Sequence, residues 1–96
     1  MTTWDKPKRQ KNIKDHGLDF AGCEVIWDTF TVTREDVRRE YGEKRLVTFG
    51  LLATDVVVLV YTERQEGPHI ISLRKAEKHE TRYYFKIAKD YFKQAD

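Results

Sequence analysis

Apolar residues concentrate in the middle of this chain, in three runs bounded by turn residues. Residues 45–52, 56–62 and 69–74 are rich in β-branched and aromatic side chains, and residues 53–55 and 65–68 separate them. The pattern predicts two consecutive hairpins, a β-meander. Its central run, Val56-Val57-Val58-Leu59-Val60, is apolar without alternation, as a strand covered on both faces reads, whereas its neighbours alternate more. That run is expected to be the middle strand.

Helical signals flank the meander. Asp5 can cap free amides and Pro7 is tolerated in a first turn, so a helix is predicted to start here and to stop at His16-Gly17. Ile13 is its sole large aliphatic residue among Lys6, Lys8, Arg9, Lys11 and Lys14, so the helix should lie on the surface and bury one narrow stripe at most. Leu18-Asp19 restarts the chain, and Phe20, Cys23, Val25, Ile26 and Trp27 fall near helical spacing, which predicts a second, shorter and more buried helix with Asp19 as its cap. Residues 29–33 read as a short strand. Residues 34–44 are charged, with only Val37 and Tyr41 apolar, and read as a mobile loop. Residues 75–94 lack glycine and proline, and Glu80, Tyr84, Ile87, Ala88 and Tyr91 recur every three or four positions, predicting the longest helix. The expected class is therefore α+β: two N-terminal helices, a central antiparallel meander and a long C-terminal helix.

Composition narrows the class of protein. Ninety-six residues, without repeat or linker, suit one domain spanning 1–96 and a modest core. With 40% hydrophobic and 35% charged residues the chain is too apolar for disorder and must carry a heavily charged surface. Because 18 Lys and Arg stand against 16 Asp and Glu, an anionic partner has to be met by a local patch rather than by net charge. No run approaches the ~20 apolar residues of a membrane span, so a cytoplasmic protein with no membrane partner is expected. Cys23, beside Val25 and Ile26, reads as a small buried hydrophobe.

Several chemistries are excluded by inventory. His16, His69 and His79 are scattered, and none pairs with Cys23 at zinc-binding spacing, so neither a metal nor another cofactor is expected. The five glycines never form a phosphate loop ahead of a helix. Ser72, the only serine, falls inside a strand rather than at a nucleophile elbow.

Cations, carboxylates and tyrosines around the sheet remain. If residues 65–68 close the second hairpin, Arg64 faces His69 and Leu59 faces Arg74; if 53–55 close the first, Arg45 lies across from Glu63. Arg45, Glu63, Arg64 and His69 then gather at one end of the sheet, and Arg74 and Lys75 at the other. Arg45 with Glu63 reads either as a cross-strand ion pair or as part of a site. Two cations at a helix start oppose the helix dipole, so Arg74, Lys75 and the free amides either hold a phosphate or form a solvated face. Tyr84 fits the buried stripe of the last helix, and Tyr83, about 100° away, is left for a ligand. The cationic first helix is either a solvated face or a surface for RNA phosphates.

Trp4-Asp5, Lys11-Asn12, His16-Gly17 and Phe20, then Glu43, Arg45 and Thr62-Glu63-Arg64, and finally Ile71-Ser72 through Ala76 with Glu80 and Tyr83, resemble the BrnT family of toxins in order and spacing. Leu73, where alanine is usual, Ala21-Gly22, where an acidic pair is expected, and the charged residues 32–40 depart from that pattern. The resemblance implies a RelE-like fold, metal-independent cleavage of RNA that inhibits translation, and neutralisation by a BrnA-type ribbon-helix-helix antitoxin, with operator DNA met only through that antitoxin. It implies attack of a ribose 2′-hydroxyl on the adjacent phosphate. By that analogy Arg64, Arg74 and Lys75 clamp the phosphate, Glu63 or Glu80 is the base, and Tyr83 or His79 donates a proton, while Lys8, Lys11, Arg45 and His79 contact RNA. The hairpin register above separates Arg64 from Arg74 by roughly 13 to 17 Å, too far for one phosphate. Either a bulge changes the register, the clamp spans neighbouring nucleotides, or one arginine is structural. Two rival readings are a binding module without catalysis, for nucleic acid or for an antitoxin, and a gyrase-directed toxin of the ParE type.

Overall fold

The structure, a computed structural model, describes residues 1–94. Strands β1 (Thr3–Trp4), β2 (Val32–Glu35), β3 (Arg45–Leu52), β4 (Asp55–Arg64) and β5 (Gly67–Lys75) form one mixed sheet in the order β1-β5-β4-β3-β2. Helix α1 (Lys6–His16) leads into a 3-10 helix, Cys23–Asp28, and α2 (Lys78–Gln94) follows the sheet. The class is α+β, and β4 is the middle strand, as its unbroken apolar run requires.

Each face of β4 packs against a different layer. Val57, Leu59 and Tyr61 meet Phe20, Cys23 and Ile26 on the side of α1 and the 3-10 helix. Val56 and Val58 meet Phe49 and Tyr84 on the side of α2. Alternation along a strand sorts the rest: a residue two positions from Val58 shares the α2 face.

Four expectations are corrected. The meander from β2 to β5 is antiparallel, but β1 adds a parallel edge strand, Thr3 beside His69 and Trp4 beside Ile70, too short to carry a periodic signal. The second N-terminal helix is a 3-10 turn rather than an α-helix. Asp19 accepts the Ala21 amide and the Arg9 guanidinium, and Gly22 at φ 84° is left-handed, which interrupts any α-helix begun at Asp19. In α1 the buried side chain is Asn12, not Ile13, which is 41% exposed. Asn12 donates to the Leu18 and Leu73 carbonyls and accepts the Leu73 amide, tying α1 to the outer edge of β5. The last helix begins at Lys78, because β5 continues to Lys75 opposite Val57 and the Ala76 amide donates to the Val56 carbonyl.

Strand register also differs from the sequence expectation. Both hairpins turn on two residues, Ala53-Thr54 and Gln65-Glu66, so Arg45 lies opposite Thr62 rather than Glu63, Arg64 opposite Gly67, and Arg74 opposite Val58. A bulge at Ile71 lies between the pairs Tyr61–Ile70 and Val60–Ser72. It decides where Arg74 points. In an unbroken strand Ile70, Ser72 and Arg74 share a face; with one extra residue, Ile70 and Leu73 both enter the core on the α1 side, and Ser72 and Arg74 turn to the α2 side.

Candidate active site

The α2 face of the sheet is only half covered. Tyr84 seals the end near Val56 and Val58, and beyond it an open cleft of about 550 Å³ has an apolar floor of Val47, Phe49, Val58 and Val60. Its charged rim comes from two strands, a helix and a loop. Arg34 of β2, Arg74 of β5, Glu80 of α2 and Asp36 and Arg38 of the 36–44 loop all line it.

The cations of the rim are held differently. Arg74 places Nη1 2.8 Å from Oε1 and Nη2 2.9 Å from Oε2 of Glu80, a two-pronged pair. The Glu80 carboxyl is thereby lowered to about 2, with the Arg74 hydrogen bonds as the main cause. Arg38 grips buried Asp36 in the same way, at 2.9 Å for both prongs, and the Tyr41 hydroxyl donates to Asp36 at 3.0 Å. Those bonds hold the Asp36 carboxyl well below the usual range. Arg34 has no carboxylate within 4 Å among the described residues. Its guanidinium instead sits 5.3 Å above the Phe49 ring and 5.9 Å from the Tyr83 ring, and Tyr83 packs edge-on against Phe49. A polyanion entering this cleft meets one uncompensated arginine and two that are already paired.

Over residues 4–80 the chain matches the family described as ribonuclease toxin, BrnT, of type II toxin-antitoxin system. The chain belongs to the BrnT family. Family membership makes it a ribonuclease toxin and implies an antitoxin partner. No curated protein matches it. The matched span takes in Arg34, Arg38, Arg74 and Glu80 and ends before Tyr83.

Of the candidate residues named from the sequence of this BrnT-family chain, the fold joins Arg74 to Glu80 and sets Tyr83 behind the cleft wall, against Phe49 and Arg34. Lys75 points to the opposite face, across from Val57, with Nζ 3.6 Å from Asp55. Glu63 and Arg64 lie at the far hairpin, where Arg64 donates to Glu43 at 3.1 Å. Arg64 stands six positions along β4 from Val58, the partner of Arg74, about 20 Å at ~3.3 Å per residue. The bulge thus re-aims Arg74 without bringing Arg64 to it. His79 is exposed and 3.7 Å from Glu77. Lys8 and Lys11 border a small separate groove between α1 and the outer edge of β5 and do not line the cleft, and Lys11 is paired with Asp15. Arg45 stacks on Tyr41 next to the cleft. His69 sits under β1, its Nδ1 2.7 Å from the Thr3 hydroxyl oxygen.

At the start of the last helix, where the sequence leaves a phosphate site or a solvated face open, the structure places a carboxylate. Glu80 Oε1 accepts the Glu77 amide at 2.8 Å, so the chain's own carboxylate occupies the position between Arg74 and the helix start. Arg34 and Arg38 were not singled out, because residues 34–44 read as loop. The signal was there: Val32 and Arg34 alternate, and extending the strand by two residues sets Arg34 opposite Val47, facing the cleft. Among the described residues no group of three His, Cys, Asp or Glu is arranged to hold a metal, and no helix is long and apolar enough to cross a membrane. Cys23 is buried, with its thiol pushed up to about 12 mainly by that burial.

Proposed function

We propose that the half-covered face of the sheet is the ribonuclease centre and that it cuts RNA without a metal, by attack of a ribose 2′-hydroxyl on the adjacent phosphate. The observation that supports this reading is the convergence of Arg34, Arg38, Arg74 and Glu80 on one apolar-floored cleft, with Tyr83 beside Arg34. Guanidinium groups fixed around a cleft can stabilise the additional charge of a five-coordinate phosphate, the largest demand of this reaction. Arg34 receives the phosphate first, because it has no counter-ion to exchange. As the phosphate draws the Arg74 fork away, the Glu80 carboxyl returns toward its ordinary range and accepts the 2′-hydroxyl proton. Tyr83, beside Arg34, protonates the leaving 5′-oxygen.

In this reading the fold is RelE-like, the consequence of RNA cleavage is arrested translation, and the partner is a BrnA-type ribbon-helix-helix antitoxin that contacts operator DNA for both. Glu63, Arg64, Lys75 and His79 stand outside the centre. The deciding experiment is cleavage of single-stranded RNA by purified chain in excess EDTA, with Arg74→Ala as control. Cleavage that persists in EDTA and is lost in the variant is expected; a folded preparation that leaves RNA intact overturns the reading.

A further inference from the structure

Beside the cleft lies a hollow of about 430 Å³ lined by Arg38, Arg39, Tyr41 and Arg45. Arg38 also lines the cleft, so the two spaces adjoin. Arg45 stands two positions from Val47 on β3 and shares its face of the sheet. Its Cζ lies 3.8 Å from the centroid of the Tyr41 ring, which removes water from one side of the guanidinium. Its Nε is buried and has no hydrogen-bond partner. A buried donor without an acceptor is unusual in a folded chain and marks a place where an acceptor is missing.

The neighbouring acids do not supply one. Asp36 is bound by Arg38, Glu43 by Arg64, Glu35 lies 3.8 Å from Lys44, and Glu40, which lines an adjoining hollow with Arg39 and Arg45, lies beyond 4 Å of either guanidinium. Among the described residues no carboxylate lies within 4 Å of Arg39 or Arg45. Three guanidinium groups around one hollow, two of them without counter-ions, suit an oxyanion with several acceptor oxygens, which accepts charge-assisted N–H bonds from the two unpaired forks. Arg45 covers one face of the Tyr41 ring, and the other groups lining the hollow are guanidiniums. Its chemistry is that of a phosphate.

We propose that this hollow is a phosphate subsite holding the backbone of the RNA strand next to the nucleotides in the cleft, an assignment that rests on the ribonuclease reading above. Arg38 sits between the two spaces and joins them into one track. RNA that reaches the hollow is then bound more tightly, with no change in the chemical step.

The test compares a dinucleotide, which fills the cleft alone, with a longer single-stranded oligoribonucleotide, for the wild type, Arg39→Gln and Arg45→Gln. Each variant is expected to raise KM for the oligonucleotide about tenfold, leave kcat and dinucleotide cleavage unchanged, and reduce the salt slope of binding by about one. Equal loss on both substrates, or no loss on either, overturns the subsite. Arg39 is exposed, so Arg39→Gln carries the test should Arg45→Gln fail to fold. Binding of a 2′-O-methyl oligonucleotide, followed by fluorescence anisotropy, separates the subsite from the chemistry. If the wild type cuts nothing yet Arg39→Gln weakens this binding, the ribonuclease reading falls and the subsite stands. If the wild type cuts RNA and the variant binds as well as wild type, the subsite falls. Inorganic phosphate bound as tightly as the oligonucleotide assigns the hollow to a free anion and overturns the strand assignment.

Discussion

Arg74 and Glu80 face each other fork to fork, at 2.8 and 2.9 Å, and Glu80 also accepts the Glu77 amide with one of the same oxygens. The end of a strand and the start of a helix thus meet over a carboxylate supplied by the chain itself. In the proposed reaction a substrate phosphate has to exchange with it. Substrate binding and the release of a proton acceptor become one event.

That exchange separates the two members of the pair kinetically. Arg74→Ala removes a donor from the developing charge and is expected to lower kcat on the order of 10²-fold or more. Glu80→Gln frees Arg74 from competition while removing the proton acceptor, so kcat is expected to fall and KM to fall with it. Steady-state cleavage of a short RNA checks both. A Glu80→Gln enzyme whose KM rises is inconsistent with competition between Glu80 and the phosphate.

Acid stability follows from the same carboxylate. Glu80 and Asp19 are each lowered to about 2 by an arginine fork, and Asp36 is lowered as well. A carboxyl whose folded value lies below its unfolded value stabilises the fold above the unfolded value, and that contribution disappears as pH falls through the folded one. Stability is therefore expected to drop between about pH 5 and pH 2, starting near the unfolded carboxylate values. Urea melts at several pH values should show a shallower acid limb for Glu80→Gln than for wild type. Parallel curves would show that the pair contributes nothing to folding.

The sequence revealed the parts of this fold that rest on periodicity. The doubly buried run 56–60, the two hairpins and the glycine stop of α1 all express side-chain patterns that survive in one dimension. The placement of Arg74 does not, because one inserted residue at Ile71 inverts the facing of everything after it. A trace was readable in Ile70 and Leu73, two apolar residues an odd number of positions apart around polar Ser72. Lys75 shows the complementary limit: adjacent to Arg74 in sequence, it points to the other side of the sheet. Arg34 and Arg38 were hidden by their charged surroundings, since only strand pairing shows which of several arginines faces a cleft. Asn12 was hidden because its partners, Leu18 and Leu73, are backbone groups, one of them on a distant strand.

Asn12 provides a test of that last point. Its side chain is buried and satisfies both the amide and the carbonyl of Leu73 on the outer edge of β5. Asn12→Leu keeps the volume but leaves two buried backbone groups without partners, at a cost of about 1–3 kcal/mol each before any water enters. Chemical denaturation should show a loss of at least about 2 kcal/mol. Amide exchange at Leu73 should rise selectively. Unchanged exchange there would mean that β5 is held by other contacts.

Gly50 explains why the 3-10 helix lies so close to β3. A Cβ at position 50 would stand 2.6 Å from Ile26 Cγ2 and 3.3 Å from both the Ile26 carbonyl oxygen and the Thr29 hydroxyl oxygen. Ile26 is fully buried, and the Thr29 hydroxyl donates to the Ile26 carbonyl at 2.6 Å and accepts the Leu51 amide at 3.1 Å. The obstruction is therefore a fixed core side chain and a bonded backbone, neither of which can swing aside. Gly50→Ala is expected to destabilise the chain by about 1–3 kcal/mol through overpacking, despite the usual benefit of replacing a strand glycine. Because the added methyl projects toward Ile26, on the α1 side of β3, the cleft on the α2 side should keep its geometry. Residual RNA cleavage per folded molecule should match wild type at a temperature well below the variant's Tm. A loss of cleavage in fully folded Gly50→Ala would place functional residues on the α1 side, where the present assignment has none.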